Sequence, residues 1–214
     1  MTIAEARTEL DDLLDKAGSA YFTDTEKDRF LDSAIIEWCN QVYNMINTTQ
    51  VFNDKSALLI KETTLTQAQL ENITDATDSN TGGAENIADY WHLLALKDSR
   101  GNSVKIVQID DVYSTINDPF NKPDDSNPVA YFIQDGSSQL KLEILGTNDT
   151  NFTLLYYMQP ELVSQSSNST DNLTDNIHEM YHREVVKLAA RAILANIESP
   201  QYSTMRSEIA EQQQ

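Results

Sequence analysis

The residues His178-Glu179-Met-Tyr-His182 spell the H-E-x-x-H signature of zinc metalloproteases. That chemistry needs two imidazoles one helical turn apart on one face, a glutamate to activate water, and a third protein ligand to the metal. The spacing of His178 and His182 meets the first need, and Glu179 the second. The third ligand is missing where the longer H-E-x-x-H-x-x-G-x-x-H form would place it. Val185 and Leu188 stand at the glycine and histidine positions. Glu198 is a late carboxylate, roughly two dozen ångströms from His182 along a straight helix at about 1.5 Å per residue. The other histidine, His92, lies in a region patterned as strands. On a helical wheel His178 and His182 fall between Val185 and Ile193, on the flank of the packing face, where histidines hydrogen-bond within a core or interface. The motif therefore reads as a coincidence of spelling, with a zinc-dependent hydrolase using His178, Glu179 and His182 as the alternative function.

Other chemical signals are weaker. Asp78-Ser-Asn-Thr-Gly-Gly begins like a calcium loop, but Gly82, Glu85 and Asp89 occupy positions five, eight and twelve, so it reads as a polar turn. There is no P-loop, G-x-G-x-x-G, G-x-S-x-G or C-x-x-C. The single cysteine, Cys39, sits in an apolar helical stripe and reads as a small core residue. No catalytic residue, cofactor or metal site is assigned. Arg183, Lys187 and Arg191 recur every four residues, three of only 15 Lys and Arg in the chain. They form either a solvated face balanced by Glu179 and Glu184 or a docking stripe for an acidic surface, a neighbouring copy first of all.

The elements that must position these residues follow from periodicity. Thr2 and Glu5 form a capping box that opens a helix to about Ala17, with Ile3, Ala6, Leu10, Leu13 and Leu14 at helical spacing. A second box, Thr23 and Glu26, opens a longer helix to about Thr48, whose stripe includes Leu31, Ile35, Trp38 and Val42. From Gln50 the period changes. Trp91–Lys97, Ser103–Ile109, Ala130–Gln134, Gln139–Leu145 and Phe152–Met158 read as strands of an antiparallel meander. Ser56–Thr74 is open between strand and helix, Pro119–Pro128 is an acidic loop, and Ser164–Asp171 a polar linker. Helix returns over Asn176–Asn196, and Ser199-Pro200 stops it.

The predicted class is α+β: a helical bundle from N- and C-terminal helices with an inserted antiparallel β-region. The expected divisions are 1–49 helical, 50–167 β-rich, 168–198 helical, and a tail at 199–214. In that tail Tyr202, Met205 and Ile209 keep helical spacing, which suits ordering on a partner.

The chain has 214 residues and a net charge of −19, an acidity that disfavours free binding to nucleic acid and can repel a passing polyanion. No apolar run is long enough to span a bilayer, and the opening MTIAEARTELDD has no basic or apolar leader, so synthesis in the cytoplasm is expected.

The order of these features resembles the head–tail adaptor (neck, or ring) proteins of tailed bacteriophages, crAss-like phage ring proteins in particular. The segments that carry the resemblance are "TIAEARTELDDLLDKAG…YFTDTEKDRFLDSAIIEWCNQVYNMI", "NIADYWHLLAL" (with Ala88 in a position usually proline), "NPVAYFIQDGSSQLKLEI", "FTLLYYMQPELV" and "IHEMYHREVVKLAARAIL". His182 matches the family's histidine at the start of its terminal helix, and His178 is its incidental neighbour. The resemblance implies a structural virion protein without catalysis: a head–tail connector ring, commonly a dodecamer, in the neck between portal and tail. Its implied partners are the portal protein, adjacent neck or tail rings and further copies of itself. Viral DNA would pass through the channel without sequence-specific binding, and no membrane is involved. Made in the host bacterial cytoplasm, the protein would reside in the virion. A host-derived acidic adaptor is a further alternative.

Overall fold

A computed structural model describes residues 1–14, 22–45, 55–70, 87, 89–120, 122–134, 140–166 and 168–196. It is mixed α+β, with helices at both ends of the described chain and largely antiparallel strands between them, as the periodicity predicts. The chain divides into two compact units, 1–59 with 160–214, and 60–159. Pattern alone places those edges at 49/50 and 167/168.

The first unit is helical. Helix α1 (Ile3–Leu13) and helix α2 (Asp24–Asn44) each start at a complete capping box. Thr2 Oγ1 accepts the Glu5 N–H at 3.2 Å, while the Glu5 carboxylate accepts the Thr2 N–H at 2.8 Å. Thr23 and Glu26 repeat the exchange at 3.3 and 2.8 Å. Each box satisfies donors that a helix start otherwise leaves to water. The expected ends at Ala17 and Thr48 lie outside the described residues.

The apolar stripes then decide the packing. Ile3, Ala6 and Leu10 of α1, Leu31, Ile35, Trp38 and Val42 of α2, and Val185, Leu188, Ala189 and Ile193 of the last helix are all buried. That helix, α5 (His182–Asn196), packs on both α1 and α2. Between α1 and α2 the guanidinium of Arg7 grips the Asp28 carboxylate at two points, 2.9 and 2.7 Å, and buried Lys27 meets Asp11 at 2.6 Å.

Two expectations for this unit are corrected. The polar stretch after Leu162 is not a free linker. Val163–Gln165 forms a 3₁₀ turn on α2, where Ser164 N–H donates to Asp32 at 3.3 Å, and Val163, Leu173 and Ile177 are buried. Its loop also clasps the start of the chain: Ile3 and Ala4 donate N–H bonds to the carbonyls of Asp171 and Ser169, and Leu173 donates to that of Met1, each at 3.0 Å. Secondly, the last helix starts at His182, not Asn176. Asn and Asp side chains between 172 and 176 hold turns of their own, such as Asn172 to Asp175 at 2.8 Å, and this local bonding competes with the helix.

Among its described residues the second unit holds two three-stranded sheets. Its elements are β1 (Ile60–Thr66), the one-turn α3 (Gln67–Leu70), β2 (Tyr90–Asp98), β3 (Lys105–Ile106), a 3₁₀ turn Ile109–Asp111 leading into α4 (Val112–Asn117), β4 (Val129–Gln134), β5 (Leu140–Leu145) and β6 (Asn151–Met158). One sheet has the order β1-β6-β2 and is antiparallel throughout. The other has the order β3-β4-β5, with β4 and β5 antiparallel and β3 beside β4 parallel.

The chain order is therefore not a meander. Strand β6 sits between β1 and β2: Phe152, Leu154 and Tyr156 are buried on one face, and Tyr157 is buried on the other. A strand buried on both sides belongs in the middle of a sheet. The hairpin after β2 is real but brief. Asp98 N–H donates to Asn102 O and Val104 N–H to Leu96 O, after which Lys105 and Val107 turn to Pro128 and Ala130.

The turn itself is a polar knot. The Asp98 carboxylate accepts the Arg100 and Asn102 N–H groups and both of their side chains at 2.7 to 3.2 Å. Burial alone would raise its pKa; the Asn102 and Arg100 bonds outweigh that and hold it below the usual carboxylate value. Arg100 reaches on to Asp125. No helix among the described residues is long and apolar enough to cross a membrane.

Candidate functional site

The H-E-x-x-H stretch does not lie within one α-helix. Residues Glu179–Tyr181 form a 3₁₀ turn, and His178 precedes it with extended backbone, φ −60° and ψ 139°. Its Nδ1 accepts the Met180 N–H at 3.3 Å, so the ring caps that turn. His178 and Glu179 are exposed. His182 opens α5 and is the opposite case, 1% exposed, with Nε2–H donating to the Ile177 carbonyl at 2.8 Å. One imidazole is thus on the surface and one in the core. A zincin needs both projecting from one regular helical face, and the break at His178 removes that geometry. Among the described residues no group of three or more His, Cys, Asp and Glu is placed to hold a metal ion.

Burial lowers the pKa of His182 below its ordinary 6.5, against the opposing pull of the Ile177 and Thr174 carbonyls. The ring is a neutral tie between the 177 turn and α5. Next to it lies a polar cluster that pattern reading missed. The Glu184 carboxylate accepts the indole N–H of Trp38 at 2.9 Å and the Lys55 ammonium at 3.1 Å. The Lys55 nitrogen lies 5.1 Å from the Tyr181 ring centre and 6.0 Å from that of Trp38, close enough for cation–π attraction. Glu184 reads from sequence as a surface charge balancing arginines. The overlooked signal was Trp38 itself, since a buried indole N–H wants an acceptor.

Two members of the basic repeat on α5 make ion pairs within the helical unit. Arg183 pairs with Glu9 of α1 at 2.6 Å, and Arg191 pairs with Glu37 of α2. Lys187 is half-buried and engaged. For Arg183 and Arg191 the balancing acids come from other helices, where Glu179 and Glu184 were expected. Arg183 keeps most of its side chain, 72%, open to solvent. Tyr202, Met205 and Ile209, the proposed tail contacts, lie outside the described residues.

The remaining candidates are also accounted for. Cys39 is buried, and burial pushes its thiol up to about 12, so it is no nucleophile at neutral pH. His92 stacks on Trp91 in the β-unit. Most of the calcium-like loop lies outside the described residues, but Asp89 at its end is taken by Tyr156 Oη at 2.9 Å and Lys61 at 2.5 Å. A groove of about 400 Å³ beside the 171–175 loop is lined mainly by polar side chains, among them Glu161, Gln165, Ser166 and Asp171, and the Ser166 hydroxyl donates to the Asp171 carboxylate at 2.6 Å with no histidine in the lining. Compared with known proteins, the chain matches no family model and no curated protein sequence.

Proposed function

We propose that the chain is a structural virion protein of a tailed phage, a head–tail connector that forms a neck ring, dodecameric by the resemblance, between portal and tail. The observation that best supports this reading is how the chain closes on itself. Helices from both ends pack as one unit, with the β-unit as a compact insertion. The described parts of the segments that carry the resemblance, "IHEMYHREVVKLAARAIL" among them, fall on those elements. His182, the position shared with the neck proteins, acts as a buried tie. Its partners in this reading are the portal, adjacent neck or tail rings and its own copies, and it needs no cofactor. The net charge of −19 suits a channel wall that must not hold exiting DNA.

The test is co-expression with the portal protein of the same phage, followed by electron microscopy of the complex. The reading expects the chain to be in purified virions and to assemble as a ring on the portal. Absence from virions together with no portal association overturns it.

A further inference from the structure

We propose that Ile106 to Phe120 of the β-unit is a docking surface for a basic protein subunit of another kind, not for a second copy of this chain. The proposal rests on the neck reading and names the surface through which one neighbour is held. Six large apolar side chains are exposed among the described residues, and four of them fall in this stretch: Ile106 at 40%, Ile109 at 52%, Tyr113 at 79% and Phe120 at 91%. Single exposed apolar residues are ordinary, whereas a concentration within fifteen residues marks an interaction site.

The chain geometry presents two of them side by side and the others in the same short stretch. Val112 is buried and anchors the turn, and Ile109 and Tyr113, four residues apart, stand one turn apart on the flank of that anchor. The backbone is held before any partner arrives. Val107 N–H donates to Ala130 O at 2.9 Å, Ser114 and Thr115 hydroxyls donate to Asp111 O at 2.8 Å, and Asp118 accepts the Phe120 N–H at 2.8 Å. Preorganised aromatic anchors of this kind are the residues that dominate interface energetics.

Charge selects the occupant. Asp110 and Asp111 are exposed and Asp118 is half-buried, and no Lys or Arg lies between 106 and 120. Lys105 and Lys122 stand outside the two ends. A second copy docking through this same stretch would set Asp110 and Asp111 against the same carboxylates. The complementary surface is rich in Lys and Arg around an apolar recess that receives Tyr113 and Phe120.

The experiment immobilises the full chain and titrates it with the portal protein and with each neighbouring ring protein of the same virion, separately, at low and high salt. Tyr113→Ser/Phe120→Ser, Phe120→Ser alone and Asp110→Asn/Asp111→Asn are measured alongside, with circular dichroism melts to show that each folds. Phe120→Ser keeps the test sound if the double variant does not fold. One virion protein should bind the wild type. The double aromatic variant should lose at least about 30-fold in affinity and Phe120→Ser about 10-fold. Binding should weaken with salt, less so for the Asn variant. Wild-type binding with unchanged variants overturns this surface and leaves the neck reading standing. Self-association abolished by the same variants overturns the choice of occupant. No binding to any virion protein overturns the surface and the neck reading together.

Discussion

Replacing His182 separates a structural histidine from a metal ligand. In His182→Ala the Ile177 carbonyl loses its 2.8 Å partner in the core, at about 1 kcal/mol or more. A void the size of an imidazole, in a site 1% exposed, costs about 2 kcal/mol further. The sum, about 3 kcal/mol, is a large part of the roughly 5–15 kcal/mol that holds a domain together. The helical unit should melt roughly 10–20 °C lower. His178→Ala, which loses only a 3.3 Å cap on an exposed turn, should cost under about 1 kcal/mol, and Glu179→Gln about nothing. The assay is urea unfolding followed by Trp38 fluorescence in a Trp91→Phe background, because Trp91 belongs to the other unit. The pH dependence has a definite sign. With its folded pKa lowered below 6.5, His182 stays neutral in the fold while the unfolded chain takes up a proton. Stability is therefore full above about 6.5 and falls as pH drops toward the lowered folded value, by at most about 1.4 kcal/mol per pH unit. His182→Gln should remove that part of the slope. Equal losses from His178 and His182, or a zinc-induced rise in melting temperature that either replacement abolishes, would refute this reasoning.

Among the described residues the β-unit has two glycines with left-handed backbone but unequal surroundings. Gly146→Ala, at φ +89° with an added Cβ 2.6 Å from the Asp124 nitrogen, should destabilise by about 2–4 kcal/mol, and Gly101→Ala, at φ +85° in open space, by about 1 kcal/mol, both read by denaturant unfolding. Thr23→Ala removes one half of the α2 capping box and should cost about 1 kcal/mol in the helical unit, measured by the same urea titration. Cys39 should resist a thiol reagent in the native protein and react only as fast as the helical unit opens, which pulsed labelling under increasing urea measures.

Local chemistry was legible in the sequence and distant pairing was not. Both capping boxes are where Thr2, Glu5, Thr23 and Glu26 put them, since a box is settled within four residues. Leu142 and Ile144 alternate inward along β5 as their spacing requires. The central place of β6 was hidden. Its partners Ile60–Thr66 and Tyr90–Asp98 lie far away in the chain, and only the two-sided burial of Phe152 to Tyr157 betrays it. The stretch 163–177 looked like a linker because its burial rests on few residues, Val163, Leu173 and Ile177, among many polar ones. At the histidines, spacing could not reveal that Asn and Asp side chains would halt the helix at His182, nor that Glu9 and Glu37 would engage Arg183 and Arg191.

The clasp between the first four residues and the 169–173 loop bears on the order of synthesis. A ribosome delivers α1 and α2 early, but the partner for their apolar stripes, α5, begins only at His182. At about 5–20 residues per second the wait is on the order of ten seconds. During it the β-unit, continuous from 60 to 159, can fold as it emerges. The faces built from Leu10, Leu31, Ile35 and Trp38 stay without α5 all that time. The helical unit thus closes last although its first half is made first, and a chain released early, before His182, would keep those faces open to aggregation.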